Sequence, residues 1–321
     1  MLSDCLICYD KTVVDKTTQL VMLSPRQICL LGSMYDQCLR TKIVKNKGRP
    51  TLNPANSAPA TPSGTANYSY YNRVETAQYF GNFKKDLFKA EAVILARLKQ
   101  EIQDRPILEI GIGGGRITEH LRSLSADYTG VDYSEKMVEF CRHRFPDLPL
   151  FICDARNLSR FETEKFATVM FGYNGIDEVG TGDRLLILHE IHRVLKCNGV
   201  FIFSSHNLDW ECIPSCFRRG LSFRGGIFGS VKANLARLWV YLSGVANWCR
   251  IRMLHKGEAI LLDYEASSGI ISPVHYISQP AQVLQLQFAG FRDIQAISAD
   301  GEPLDDHNRG KHFMVFYVAR K

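Results

Sequence analysis

No stretch of this sequence approaches the roughly 18 uninterrupted apolar residues of a membrane-spanning helix, so no membrane span is expected. The first residues carry Asp4 and Asp10 where an export signal has a basic start, so a cytoplasmic location is the expectation. Ten cysteines occur without secretory context and read as reduced thiols rather than a disulfide framework. Cys5 and Cys8 form a C-x-x-C with no second such pair, and no metal site is expected. A strong surplus of positive charge is also missing from most of the chain. Residues 1–66 hold eight Lys or Arg against four Asp or Glu, which is +4 of the net +6, and a near-neutral remainder makes nucleic acid an unlikely ligand.

What is present is ordinary globular composition, 45% apolar and 22% charged over 321 residues, enough for a full core in one large domain or two. Residues 1–44 show no sustained period. Residues 45–67 place Pro50, Pro54, Pro59 and Pro62 among small polar residues, too little apolar surface to offset the entropy of ordering. The expected organisation is a tail and linker over 1–66 and a catalytic-type domain over 67–321. Within 68–100, Leu87, Ala90, Ile94, Leu95 and Leu98 keep helical spacing.

After residue 105 strands and helices alternate. Strands are expected near 106–110, 127–132, 150–153, 167–171 and 199–204, with helices at 135–145 and 183–195. This alternation, with continuous apolar strands, predicts a doubly wound, Rossmann-like, mostly parallel seven-stranded α/β sheet covered on both faces. Segments 291–297 and 312–319 predict a C-terminal antiparallel hairpin. Residues 207–275 interrupt the pattern. A helix over 231–249, with Trp239, Trp248 and flanking Arg237, Arg250 and Arg252, reads as a helical cap over a cleft in preference to a membrane-surface helix. The sheet core is then 105–206 plus 276–321.

The chemistry concentrates at strand ends. Residues 105–121, RPILEIGIGGGRITEHL, run from strand through a glycine turn into helix, which offers close backbone approach and unpaired N–H groups. Arg116 stands where the dinucleotide fingerprint needs a third small residue, which argues against a nicotinamide oxidoreductase. Glu109 precedes the turn, Asp132 ends the second strand, and Asp154 ends the third. Three carboxylates in that order suit a ligand amine, two ribose hydroxyls and an adenine amino group. For Asp132 the plainer reading is a helix start, since Ser134 follows.

On LEIGIGGGR, GVDYSEKM, CDARNL, VMFGYNGIDEV and EIHRVLKCNGVFIFSSHN, residues 105–206 resemble the class I S-adenosylmethionine-dependent methyltransferases. That resemblance implies that Glu109, Gly111, Gly113 and Gly115 hold the methionine end of S-adenosylmethionine, Asp132 the ribose, and Asp154, Ala155 and Arg156 the adenine side, with Tyr133 a further cofactor-binding residue. It departs at Cys197-Asn198-Gly199, where the family has Pro-Gly-Gly. Asn198 tolerates the left-handed conformation, so the turn is expected to survive. Candidate catalytic groups are Tyr173, Asn174 and Asp177 after the fourth strand and His206 after the fifth. His206 reads equally as a base and as a structural histidine. Tyr71 and Tyr79 are expected over the cofactor, and His275 and Tyr276 read as packing.

The expected activity is methyl transfer to oxygen or nitrogen of a small-molecule acceptor. The alternatives are an RNA or protein methyltransferase, against which stands the absence of an Asn-Pro-Pro-Tyr motif, and a non-catalytic module that senses the cofactor.

Overall fold

In the computed structural model, the structure describes residues 65–83, 86–211, 258–265 and 270–321. The tail over 1–44, the linker before residue 65 and the helix expected at 231–249 lie outside the described residues. The chain enters through α1 (Thr65–Tyr71), α2 (Val74–Asn82), α3 (Lys89–Arg97) and the short α4 (Lys99–Ile102). The amphipathic spacing around residue 90 is realised as α3, which buries Ala90, Ile94 and Leu95. Phe88 caps it in extended geometry, so Leu87 falls before the helix and not on its first turn.

The alternation then follows as expected. It comprises β1 (Ile107–Ile110), α5 (Thr118–Leu124), β2 (Tyr128–Asp132), α6 (Glu135–Arg144), β3 (Leu150–Ile152), β4 (Phe166–Phe171), a short 3-10 turn (Gly175–Asp177), α7 (Thr181–Val194) and β5 (Leu195–Asn207). The strands lie in the order β3-β2-β1-β4-β5, all parallel, so the order reverses between β1 and β4. The crevice at that reversal is where ligands bind in open sheets. Alternating side chains serve the two faces: Ile107 packs with α3, α4 and α5 residues, Leu108 with Ile187, Leu188 and Ile191 of α7. Asn198 has φ +60, which keeps the turn into the apolar part of β5 as expected.

Beyond β5 the chain adds β6 (Glu258–Glu265), β7 (Ile270–Ile277), α8 (Gln279–Phe288), β8 (Arg292–Ser298) and β9 (Met314–Arg320). The C-terminal hairpin is present: β8 pairs antiparallel with β9, and β9 antiparallel with β5. The described part of the segment expected as a cap, from residue 258, contributes strands. β6 and β7 form an antiparallel pair, and β7 joins the tip of β5 in parallel at His206 and Asn207, giving nine strands among the described residues. No helix among the described residues is long and apolar enough to cross a membrane.

Candidate active site

The glycine turn after β1 splits its work among its members. Gly113 has φ +52, and a Cβ there meets nothing within 4 Å, so this position faces open space. Gly114 is the reverse case: a Cβ there falls 2.3 Å from the Phe80 carbonyl carbon and 2.4 Å from the Gly81 nitrogen. Its missing side chain is what lets the α2 backbone lie directly on the turn. Gly115 adjoins Phe145 at the end of α6 and faces that packing, not the cleft.

Glu109 is buried at the end of β1, where its Oε2 accepts hydrogen bonds from Tyr128 OH at 2.6 Å and Thr118 Oγ1 at 2.8 Å. Burial pushes its carboxyl up to about 7 despite those donors. Asp132 takes part in the helix start offered for it. Its Oδ1 accepts from Ser134 N at 2.9 Å, and Ser134 Oγ caps α6 by accepting from Met137 N at 3.2 Å. Its Oδ2 accepts from Gly113 N at 3.0 Å, which ties the second strand end to the glycine turn. Burial pushes Asp132 up to about 6.

These groups open on a cleft with about 900 Å³ of space between atoms, open solvent included. Of the residues expected to hold a cofactor, Glu109, Gly111, Gly113, Asp132, Tyr133 and Ala155 line it. Gly115, Asp154 and Arg156 are not in the lining. The reason for Asp154 is local. Arg156 clamps it through its backbone N at 2.9 Å, Nε at 3.0 Å and Nη2 at 2.5 Å, while Arg156 Nη1 reaches Asp183 at 2.8 Å. The carboxylate expected to face adenine therefore joins the β3 loop to α7.

Tyr133 fits a polar ligand at this cleft: its hydroxyl is buried in the wall with no hydrogen-bond partner among the described residues. The first helices close the same cleft. Tyr71, Phe80 and Phe83 line it, while Tyr79, also expected there, is 47% exposed and outside the lining. Glu178 was not singled out in the sequence, yet it lines the cleft and anchors α1. Its Oε1 accepts from Tyr71 OH at 3.0 Å and its Oε2 from Asn67 Nδ2 at 2.7 Å. Arg116, useful in the sequence only as an exclusion, lines the cleft as well. Buried Glu91 grips it in a fork at 2.6 and 2.7 Å, and its guanidinium lies 4.5 Å from the Phe88 ring centre.

The four candidate catalytic residues divide. Tyr173 lines the cleft and stacks on Phe88 at 5.6 Å. Asn174, Asp177 and His206 form a cluster behind it. His206 Nδ1 lies 2.8 Å from Asp177 Oδ2, and His206 Nε2 lies 3.3 Å from Asn174 Nδ2. Asp177 is fully buried, also accepts from Ser205 Oγ at 2.8 Å and from His206 N at 2.6 Å, and pairs with buried Arg184. Burial works against the charge of Asp177, but Arg184 and His206 outweigh it and hold the carboxyl below the usual range. No feature of the sequence marked Arg184, which sits on the apolar face of α7.

A parallel sheet reversing at β1/β4, a cradle of carboxylate and glycine at two adjacent strand ends and a buried hydroxyl between them form a cleft where ligands bind in open α/β sheets. Residues 107–199 match the family model described as a methyltransferase domain. Over 102 residues, 31% of this chain, the sequence is 31% identical to the demethylmenaquinone methyltransferase of Thermotoga maritima, and the match spans 42% of that relative's length. The fold is similar to the CcbJ methyltransferase of Streptomyces caelestis, with a TM-score of 0.50, 17% identity, and 78% of this chain and 97% of that chain covered. It is also similar to an S-adenosylmethionine-dependent methyltransferase of Clostridium acetobutylicum, with a TM-score of 0.51, 12% identity, and 77% and 97% covered. Residues 107–199 are thus similar to a methyltransferase domain, and the proteins the chain resembles are S-adenosylmethionine-dependent methyltransferases.

Proposed function

We propose that this chain moves the methyl group of S-adenosylmethionine to an oxygen or nitrogen of a small-molecule acceptor. The observation that carries this reading is the cradle that joins Gly113, Asp132 and Glu109 at one cleft, with the orphan Tyr133 hydroxyl beside them. Glu109 would hold the amine of the cofactor, Asp132 the ribose, and Tyr133 a polar atom of the nucleoside. When bound, the cofactor supplies a methyl group on a positively charged sulfur, and the protein's part is positioning in a dry site. Tyr71, Phe80, Phe83 and Tyr173 give the cleft an aromatic wall that would limit water around the sulfur. His206, held by Asp177 one residue behind the wall of Tyr173 and Gly175, is the base for an acceptor hydroxyl or amine. The aromatic enclosure and the +2 balance of residues 67–321 favour a small, largely apolar acceptor over a polyanion. The Thermotoga maritima relative's name gives a quinone as what it acts on, an acceptor of that chemical character.

The test uses methyl-labelled S-adenosylmethionine with a fractionated extract. Label is expected in the small-molecule fraction. His206→Ala should lower transfer by about 100-fold, in keeping with loss of a positioned base, with cofactor affinity unchanged in calorimetry. Label in RNA or protein fractions, or full activity without the imidazole, would overturn the reading.

Glu109 also makes binding depend on pH. Its value in the folded, empty protein, about 7, is above the ordinary 4.5, so folding takes up a proton between those values. The stabilisation from the protonated carboxyl is complete below pH 4.5, is lost as pH rises to about 7, and is of the order of 3 kcal/mol. A cofactor amine beside it favours the ionised form, so binding should release a proton and tighten as pH rises toward 7. Asp132, at about 6, acts in the same direction at lower pH. Calorimetry in two buffers of different ionisation enthalpy checks this; binding heats that do not depend on the buffer would count against it.

A further inference from the structure

The cleft has two chemically different ends. At the tips of β1 and β2 it presents carboxylates and a backbone N–H, the end read above as the cofactor's. Glu178 belongs to that end as well: it accepts from Tyr71 OH at 3.0 Å, and the Tyr71 ring centre lies 6.3 Å from that of Tyr133. At the tip of β4 the lining changes to Phe80, Phe83, Ile117 and Tyr173, with Arg116 the one basic side chain in the described lining. That cation is already compensated. Both terminal nitrogens of Arg116 hold the Glu91 carboxylate, at 2.6 and 2.7 Å, and its guanidinium carbon lies 4.5 and 5.7 Å from the ring centres of Phe88 and Tyr173. An anionic group entering this end would lose its water and find no uncompensated cation in the described lining.

Tyr173 stands at this end in a strained backbone. Its φ is +51 and that of Asn174 is +57, both in the left-handed region. Asparagine tolerates that conformation, whereas a bulky aromatic residue is strained by it. Neighbouring hydrogen bonds lock the turn: Asn174 N donates to Ser204 Oγ on β5 at 2.9 Å, Gly175 N to the Gly172 carbonyl at 3.2 Å, and Asp177 N to the Asn174 carbonyl at 2.9 Å. Burial does not offset the strain, because Tyr173 is 41% exposed. What the turn secures is the place of the ring. It stacks on Phe88 with centres 5.6 Å apart and planes 7° apart, and its centre lies 5.5 Å from that of Phe83. Phe80 follows at 6.4 Å from Phe83, so a chain of rings runs from α2 to the tip of β4. Strain of this kind collects at ligand clamps, where the position of a side chain matters more than stability.

We propose that Tyr173 is a specificity-determining residue: with Phe80, Phe83 and Ile117 it forms the acceptor's end of the cleft, a seat for an uncharged, flat and largely apolar molecule that carries the hydroxyl or amine to be methylated. This rests on the reading of the cleft as a methyltransferase site and names the acceptor class for it. The ring faces supply the attraction, since aromatic surfaces stack on flat partners and bury apolar area against them. The compensated Arg116 supplies the rejection. A carboxylate or phosphate acceptor would bury its charge against aromatic and aliphatic side chains with nothing to pair it.

The test is equilibrium binding of three probes to the full chain at neutral pH. They are 2-naphthol, flat and uncharged; decahydro-2-naphthol, its saturated and puckered counterpart; and 2-naphthoate, flat and anionic. Calorimetry is run with and without saturating S-adenosylhomocysteine. The probes then decide the acceptor seat even where the nucleoside does not bind, and nucleoside binding reports on the methyltransferase reading separately. The unaltered protein should bind 2-naphthol at least about tenfold more tightly than either of the other two. Tyr173→Phe keeps the ring and should stay within about threefold of that affinity. Tyr173→Asn suits the left-handed backbone, so it should keep the thermal midpoint and the nucleoside affinity while losing about tenfold or more in 2-naphthol affinity. Where Tyr173→Asn unfolds or melts earlier, Phe83→Ala takes its place with the same expected loss. The proposal is overturned if 2-naphthol does not bind the unaltered protein, if 2-naphthoate or the saturated alcohol binds as tightly, or if the variant that lacks the ring binds 2-naphthol unchanged.

Discussion

Asp132→Ala should abolish measurable binding of S-adenosylmethionine in calorimetry. Asp132 stands in two structures at once, as a cleft wall and as the tie between β2 and the glycine turn. Its Oδ2 fixes Gly113 N at 3.0 Å and its Oδ1 fixes Ser134 N at 2.9 Å. Hydrogen bonds to a charged group contribute about 1.5–3 kcal/mol each, so losing two ribose contacts costs at least about 100-fold in affinity. Loss of the Gly113 tie adds to that by loosening the turn. Asp132→Asn keeps the shape and should fall between the two. Unchanged affinity in the alanine variant would remove this pocket altogether.

Gly114→Ala should reduce stability more than Gly113→Ala, although Gly113 is the one with positive φ. At Gly114 the added carbon meets backbone of α2 at 2.3 and 2.4 Å, and backbone cannot step aside as a side-chain tip can. The helix must move, at an overpacking cost of about 1–3 kcal/mol. A loss of each kcal/mol lowers Tm by about 2–4 °C in a domain of this size. Because α1 and α2 also wall the cleft, the same variant should admit protease to residues 65–83 and weaken cofactor binding. At Gly113 the carbon meets nothing, and the cost is the left-handed backbone, about 1–2 kcal/mol, with the methyl group projecting into the cleft. A Gly114 variant with unchanged thermal midpoint and unchanged proteolysis would show that α2 does not lie on the turn.

Much of the fold was legible because it is written in short-range pattern. Apolar runs of four to six residues gave β1, β2 and β4 to within a residue or so, and Ser134 after Asp132 marked the start of α6. The hairpin β6–β7 was not legible, since it lies in a segment whose pattern does not continue the alternation, and its place is set by pairing with β5. Asp154 shows the limit for the site. Its position at a strand end was right, but the use of its oxygens depended on which way Arg156 turned, and Asp183 on α7 fixed that.

By itself the sequence determined the order of strands and helices, the glycine turn, the acids at the ends of β1 and β2, and hence the resemblance to S-adenosylmethionine-dependent methyltransferases. Those are properties of neighbouring residues, and each strand end carries its residues to the same edge of a parallel sheet. Only the tertiary structure decided that Glu178 meets Asn67 across 111 positions, that Gly114 is small for the sake of α2, and that Arg184 is buried against Asp177 with Gln282. Periodicity says which face of an element is inward. What lies opposite that face is a matter of packing between segments far apart in the chain.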